Sequence, residues 1–230
     1  ISGSSASHHF SPVFEELRNQ FGIGVSMLTT QSCDLDPLFY IKNKKGTCKS
    51  SNKNKISYIK KHAKEEDILF TGVSFCYKYD EFFAGSVEKI AKIAQNKKIN
   101  VVYFTPIPRC DRLKPSINSL CITKYEIEWF RPKGNKDCLL YSQIDRNVYE
   151  KKENHILDTL KKIELSYPNF HVFPIHEFLC DGSRCPSHIN GKRLYRDNSV
   201  HLSISATKQY ISPKIRSFLL QKKLIKKSNP

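Results

Sequence analysis

Two stretches at opposite ends of the chain carry residue types that could do covalent chemistry together. The first is Ile1-Ser2-Gly3-Ser4-Ser5-Ala6-Ser7-His8-His9-Phe10, small residues running into a helical pattern. A serine between a short strand and a helix N-terminus sits where backbone N–H groups can hold an oxyanion. The second is Leu194-Tyr195-Arg196-Asp197-Asn198-Ser199-Val200-His201-Leu202-Ser203. An aspartate four residues before a histidine, Asp197 and His201, can orient the imidazole and stabilise it once protonated. That imidazole could then take the proton of a serine hydroxyl. Each stretch alone also has a plainer reading, a Ser-rich terminus and a loop whose aspartate and serine cap the next helix. A third group, Cys180, Cys185 and His188, has C-x4-C-x2-H spacing. It lacks a matching fourth zinc ligand nearby, so no metal is assigned.

The elements around these residues follow from apolar periodicity. Ser11-Pro12 reads as a cap and a first-turn proline, with Val13, Phe14, Leu17 and Phe21 on one helix face and Gly22 as its end. Gly24 to Leu28 reads as a strand, Ile56 to Lys64 as a short basic helix, and Asp67 to Gly72 as a buried strand. Val87, Ile90, Ile93 and Ala94 mark a helix at 3–4 spacing, and Val101 to Phe104 the most hydrophobic strand, stopped by Pro106 and Pro108. The stretch from there through Cys138 shows no clear period. Ile156, Leu160 and Ile163 mark another helix, His171 to Ile175 a last strand, and Ser203 to Leu224 a final helix with a kink or restart at Pro213. Strands alternating with helices imply parallel βαβ units and a sheet covered on both faces. Sites in such sheets form at the carboxyl edge of the strands.

Composition narrows the class further. A chain of 230 residues with 39% hydrophobic and 11% aromatic residues can build one core, which excludes a disordered protein. Its longest apolar runs fall far short of the ~20 residues of a membrane span. The formal charge of +16 suits nucleic acid, an anionic membrane face or an anionic polysaccharide. No zinc-finger, helix-turn-helix or ribonucleoprotein motif accompanies it, so nucleic acid is not expected as a partner. Eight cysteines, at 33, 48, 76, 110, 121, 138, 180 and 185, favour disulfides and an oxidising compartment. No signal-peptide pattern opens the sequence, and residues 1–230 are expected to be one domain of a larger, membrane-anchored chain.

Taken together, the serine block at one end and the Asp/His block before the last helix resemble the SGNH hydrolase superfamily. More specifically, the chain resembles the SGNH domain fused to acyltransferase-3 membrane proteins. Cys33-Asp34-Leu35-Asp36-Pro37-Leu38 is comparable to that family's Cys-Pro-Pro-Leu-like motif, and Val101 to Pro108 to its strand ending in a proline pair. Leu179-Cys180, Cys185, Gly191, Leu194-Tyr195-Arg196-Asp197 and His201-Leu202-Ser203 follow its closing pattern.

The resemblance implies a three-layer α/β/α sandwich around a parallel sheet. It also implies acyl transfer, chiefly of acetyl, to a carbohydrate hydroxyl, with Ser5 as nucleophile, His201 as base and Asp197 orienting it. Ser4 and Ala6 then stand where the family has aspartate and histidine, and Asn198 stands at the usual position of the acid. Asp197 is chosen because an amide cannot stabilise an imidazolium as a carboxylate does. Gly72 and Ser74 are the oxyanion candidates. The implied partners are a glycan acceptor and a membrane acyltransferase domain delivering the acyl group, with an extracytoplasmic location and no cofactor. Loop placement and the closing pattern imply the pairs Cys33–Cys48 and Cys180–Cys185. A secreted carbohydrate esterase using the same triad, and a degenerate glycan-binding domain, remain open alternatives.

Overall fold

The computed structural model describes the backbone of residues 2–3 and residues 9–30, 33–38, 47–72, 82–108, 144–190, 192–195 and 201–226. Five short parallel strands form its centre. Strand β1 (Ser2–Gly3) pairs with β2 (Leu28–Thr29), and β3 (Ile68–Gly72) pairs with β4 (Asn100–Phe104), which pairs in turn with β6 (Phe170–Phe173). Because β1 lies against β3, the spatial order is β2-β1-β3-β4-β6. The chain steps one way from β1 to β2 and the other way from β3 to β6. The reversal point lies between β1 and β3, where ligands of open parallel sheets bind.

Alternate residues of the central strands feed two cores. Phe70, Val102, Phe104 and Phe173 pack with helix α1 (Ser11–Phe21) and the C-terminal helix, while Leu69, Val101, Tyr103 and Phe170 pack on the other face. That second face is covered by α2 (Thr47–His62), α3 (Phe82–Lys97) and α4 (Arg146–Ser166). A strand buried on both sides must be apolar at successive positions, which is why Val101 to Phe104 is a continuous run. The three-layer sandwich is the expected fold.

Several boundaries differ from the periodicity reading. Helix α1 starts at Ser11 with no side-chain cap, so Ser11 is its first residue and not its cap; Gly22 closes it at φ 66°. The strand expected over 24–28 is described as Leu28–Thr29, paired with Ser2–Gly3, and Val25 and Met27 ahead of it are each 38% exposed. Helix α2 begins nine residues before the expected Ile56 and ends at His62. Its first half has no apolar stripe and is held by buried Cys48, Asn52 and Lys55 instead. The last strand ends at Phe173, since Pro174 donates no N–H and helix α5 (Ile175–Leu179) starts directly after it.

The C-terminal third adds small antiparallel pairs: β5 (Ile144–Asp145) with β7 (Arg184–Cys185), and β8 (His188–Ile189) with β9 (Lys192–Arg193). Helix α6 (Ile204–Ala206) then continues through a π-helical turn, Thr207–Ile211, into α7 (Ser212–Gln221). The wide turn lies just ahead of Pro213, where regular helical bonding must lapse. Ser212 hydrogen-bonds Glu16 and Arg216 pairs with Glu16 at 3.6 Å, tying α7 to α1.

Both expected disulfides are present, Cys33–Cys48 and Cys180–Cys185. Closing the 15-residue loop of the first is worth about 3 kcal/mol. The second bond consumes the two thiols that a zinc site with His188 would have needed.

Candidate active site

The carboxyl edge of the sheet is assembled from segments distant in sequence. Gly72 ends β3 directly opposite Phe104, the last residue of β4. Phe10 stacks on Phe104 with ring centroids 4.7 Å apart and planes 7° apart, which seats the turn before α1 over this edge. The neighbouring His9, buried, meets His201 edge-on, with centroids 4.4 Å apart at 88°. The contact joins two histidines that are 192 positions apart in sequence. Ser5, Asp197 and Ser74 lie outside the described residues.

The loop that carries Asp197 and His201 is pinned at both ends. Tyr195 and Leu202 form an antiparallel bridge, Ser203 N–H donates to Leu194 O at 2.8 Å, and Leu194 N–H donates to Ser187 O at 2.8 Å. Leu194, Tyr195 and Leu202 are all fully buried. Ser203 caps the next helix, accepting from Ala206 N–H at 3.1 Å, so that helix needs no cap from Asp197 or Asn198.

Gly72 has a packing reason to be glycine. A Cβ there would come 2.7 Å from Phe104 Cβ and 2.8 Å from Phe104 O, well inside van der Waals contact. Gly72→Ala must push β3 from β4 at the base of the site. A destabilisation of about 1–3 kcal/mol is expected. A lower urea midpoint at unchanged slope would display it, and an unshifted midpoint would contradict the close approach.

Two buried polar groups near the edge were not legible as functional from their spacing. Thr105 Oγ1 and His176 Nδ1, just beyond the ends of β4 and β6, are 3.0 Å apart. Burial lowers the His176 pKa below its usual value, against the opposing pull of Glu177 and Glu150, so the imidazole is neutral at pH 7. Tyr149 Oη donates to Pro106 O at 2.6 Å beside it.

The second group lies under the Cys33–Leu38 segment. Asp36 accepts from Ser86 Oγ at 2.6 Å and from Leu38 N–H at 3.0 Å, while its own N–H donates to Asn52 Oδ1 at 3.2 Å. Lys55 Nζ donates to Cys33 O at 2.9 Å. Cys33 and the Pro37-Leu38 pair of that block were the one sequence signal beside this network.

Burial brings Lys55 down to about 8 from 10.5, with Asp34 pulling the other way. Between pH 8 and 10.5 the unfolded chain holds a proton that the folded chain has lost, so stability rises with pH through that window. Below pH 8 the cost of the buried charge is present in full. The stability difference between wild type and Lys55→Met should therefore shift by about 2 kcal/mol in favour of wild type from pH 7.5 to pH 10. A pH-independent difference in guanidinium titrations would contradict it.

A parallel α/β/α sandwich in which His9, ahead of the first helix, meets His201, ahead of the last, is of the SGNH type. The chain belongs to the family described as SGNH domain (fused to AT3 domains), whose model matches residues 1–213. Among solved structures, it is similar to the periplasmic domain of a lipopolysaccharide acetyltransferase from Salmonella ser. Paratyphi A. The TM-score is 0.61 at 15% sequence identity, covering 95% of this chain and 81% of that one. No curated protein matches the sequence.

Proposed function

We propose that this domain transfers an acyl group, chiefly acetyl, to a carbohydrate hydroxyl through Ser5, His201 and Asp197. The observation that carries the reading is the ring contact between His9 and His201, which joins the serine block to the histidine loop at the carboxyl edge. Ser5 Oγ would attack the acyl carbonyl while His201 takes its proton, and Asp197 would hold the resulting imidazolium. The oxyanion would rest on the Ser5 N–H, with Gly72 or Ser74 as second donor. Collapse expels the donor's leaving group, which receives the proton from His201. A glycan hydroxyl then attacks the acyl-serine, gives its proton to His201, and Ser5 leaves with that proton restored.

Family membership places such domains beside an acyltransferase-3 partner, which supports a membrane domain as acyl source and an extracytoplasmic location. No helix among the described residues is long and apolar enough to cross a membrane. Incubation with p-nitrophenyl acetate, with and without a glycan acceptor, tests the reading. Nitrophenol release accompanied by acylated glycan is expected. Release to water alone would make the domain an esterase, and no release at all would overturn the catalytic reading.

A further inference from the structure

His201 enters the acyl-transfer steps as the base, and a base works only if its ring points at the proton it takes. The backbone of its loop is fixed by the Tyr195–Leu202 bridge and by Ser203 N–H on Leu194 O. Those bonds leave the two side-chain torsions of His201, a half-buried residue, to be set by what packs on the ring. His9 packs on it. The centroids are 4.4 Å apart with planes at 88°, the edge-to-face arrangement that aromatic rings favour.

His9 itself has little room to move. It is buried in the short turn directly ahead of α1. The next residue, Phe10, lies flat on Phe104, and Phe104 takes Phe173 edge-on with centroids 5.5 Å apart. Beyond the turn, α1 buries Val13, Phe14 and Leu17, and its Glu16 is hydrogen-bonded by Ser212 of α7. The turn is therefore seated on the central strands and on the C-terminal helix at once. A close-packed side chain on such a support keeps one rotamer, which an exposed loop residue does not do alone. The steps above use no group of His9, yet its ring is held against the base.

We infer that His9 is a positioning residue for His201, its ring holding the imidazole of the base in one orientation; the effect on turnover rests on the acyl-transfer reading. The test replaces His9 by Ala, by Gln, which fills similar space without a ring, and by Phe, which keeps a ring. With p-nitrophenyl acetate, kcat and kcat/KM should fall together by about tenfold in His9→Ala and His9→Gln, the scale of losing one ring pair. His9→Phe should stay within about threefold of wild type, because the ring contact survives. A second readout needs no turnover. In the full chain carrying Ser5→Ala, the ring NMR signals of His201, assigned by their loss in His201→Gln, should be displaced by the adjoining ring. That displacement should persist on adding His9→Phe and vanish on adding His9→Ala or His9→Gln. Unchanged turnover in the two ringless variants, a loss in His9→Phe as large as theirs, or a His201 signal indifferent to them would each overturn the inference. A His201 signal that follows the ring in a chain that never turns over substrate refutes the catalytic reading alone.

Discussion

Ser5→Ala is expected to abolish acyl turnover and leave the fold unchanged. The nucleophile of a serine triad acts as part of a unit, and its removal usually lowers the rate by about 10⁴–10⁶. The two cores that hold the sheet, around Phe104 and Phe173 on one face and Val101 and Phe170 on the other, do not depend on this hydroxyl. Thermal unfolding should accordingly coincide with wild type while p-nitrophenyl acetate hydrolysis disappears. Near-normal turnover would move the nucleophile to Ser4 or Ser7, or the activity elsewhere.

Asp197→Asn should cost about 10⁴ in rate, with stability little changed. The carboxylate fixes the tautomer of His201 and offsets the positive charge that the ring gains in each half-reaction. An amide of the same shape can accept a hydrogen bond but supplies no charge. The loop itself is held by the Tyr195–Leu202 bridge and the cap on Ser203, so the substitution leaves its anchors in place. Asn198→Ala is the paired control and should retain most of the activity. The opposite pattern, loss with Asn198→Ala and retention with Asp197→Asn, would show that the acid has been assigned to the wrong residue.

Some of this protein was legible in one dimension. The strands β3 and β4 were, because a strand buried on both faces needs apolar residues in succession, and Leu69-Phe70 and Val101 to Phe104 supply them. Helices α1, α3 and α4 were, because Val13/Phe14/Leu17, Val87/Ile90/Ala94 and Ile156/Leu160/Ile163 repeat at the helical period. Both cysteine pairs followed from their loop placement and from the family's closing pattern.

Other parts were decided only when the chain closed on itself. The first half of α2 is secured by a disulfide and by buried Asn52 and Lys55, which leave no apolar period to read. Gly72 is glycine because Phe104 lies against it, a fact about β4 that no residue near position 72 announces. The meeting of His9 with His201 likewise depends on Phe10 stacking on Phe104 and on α7 docking against α1. Local sequence encodes the period of each element and the chemistry of each side chain. Which ends of those elements share an edge is set by how two faces of one sheet are simultaneously buried, and that is a property of the packed chain.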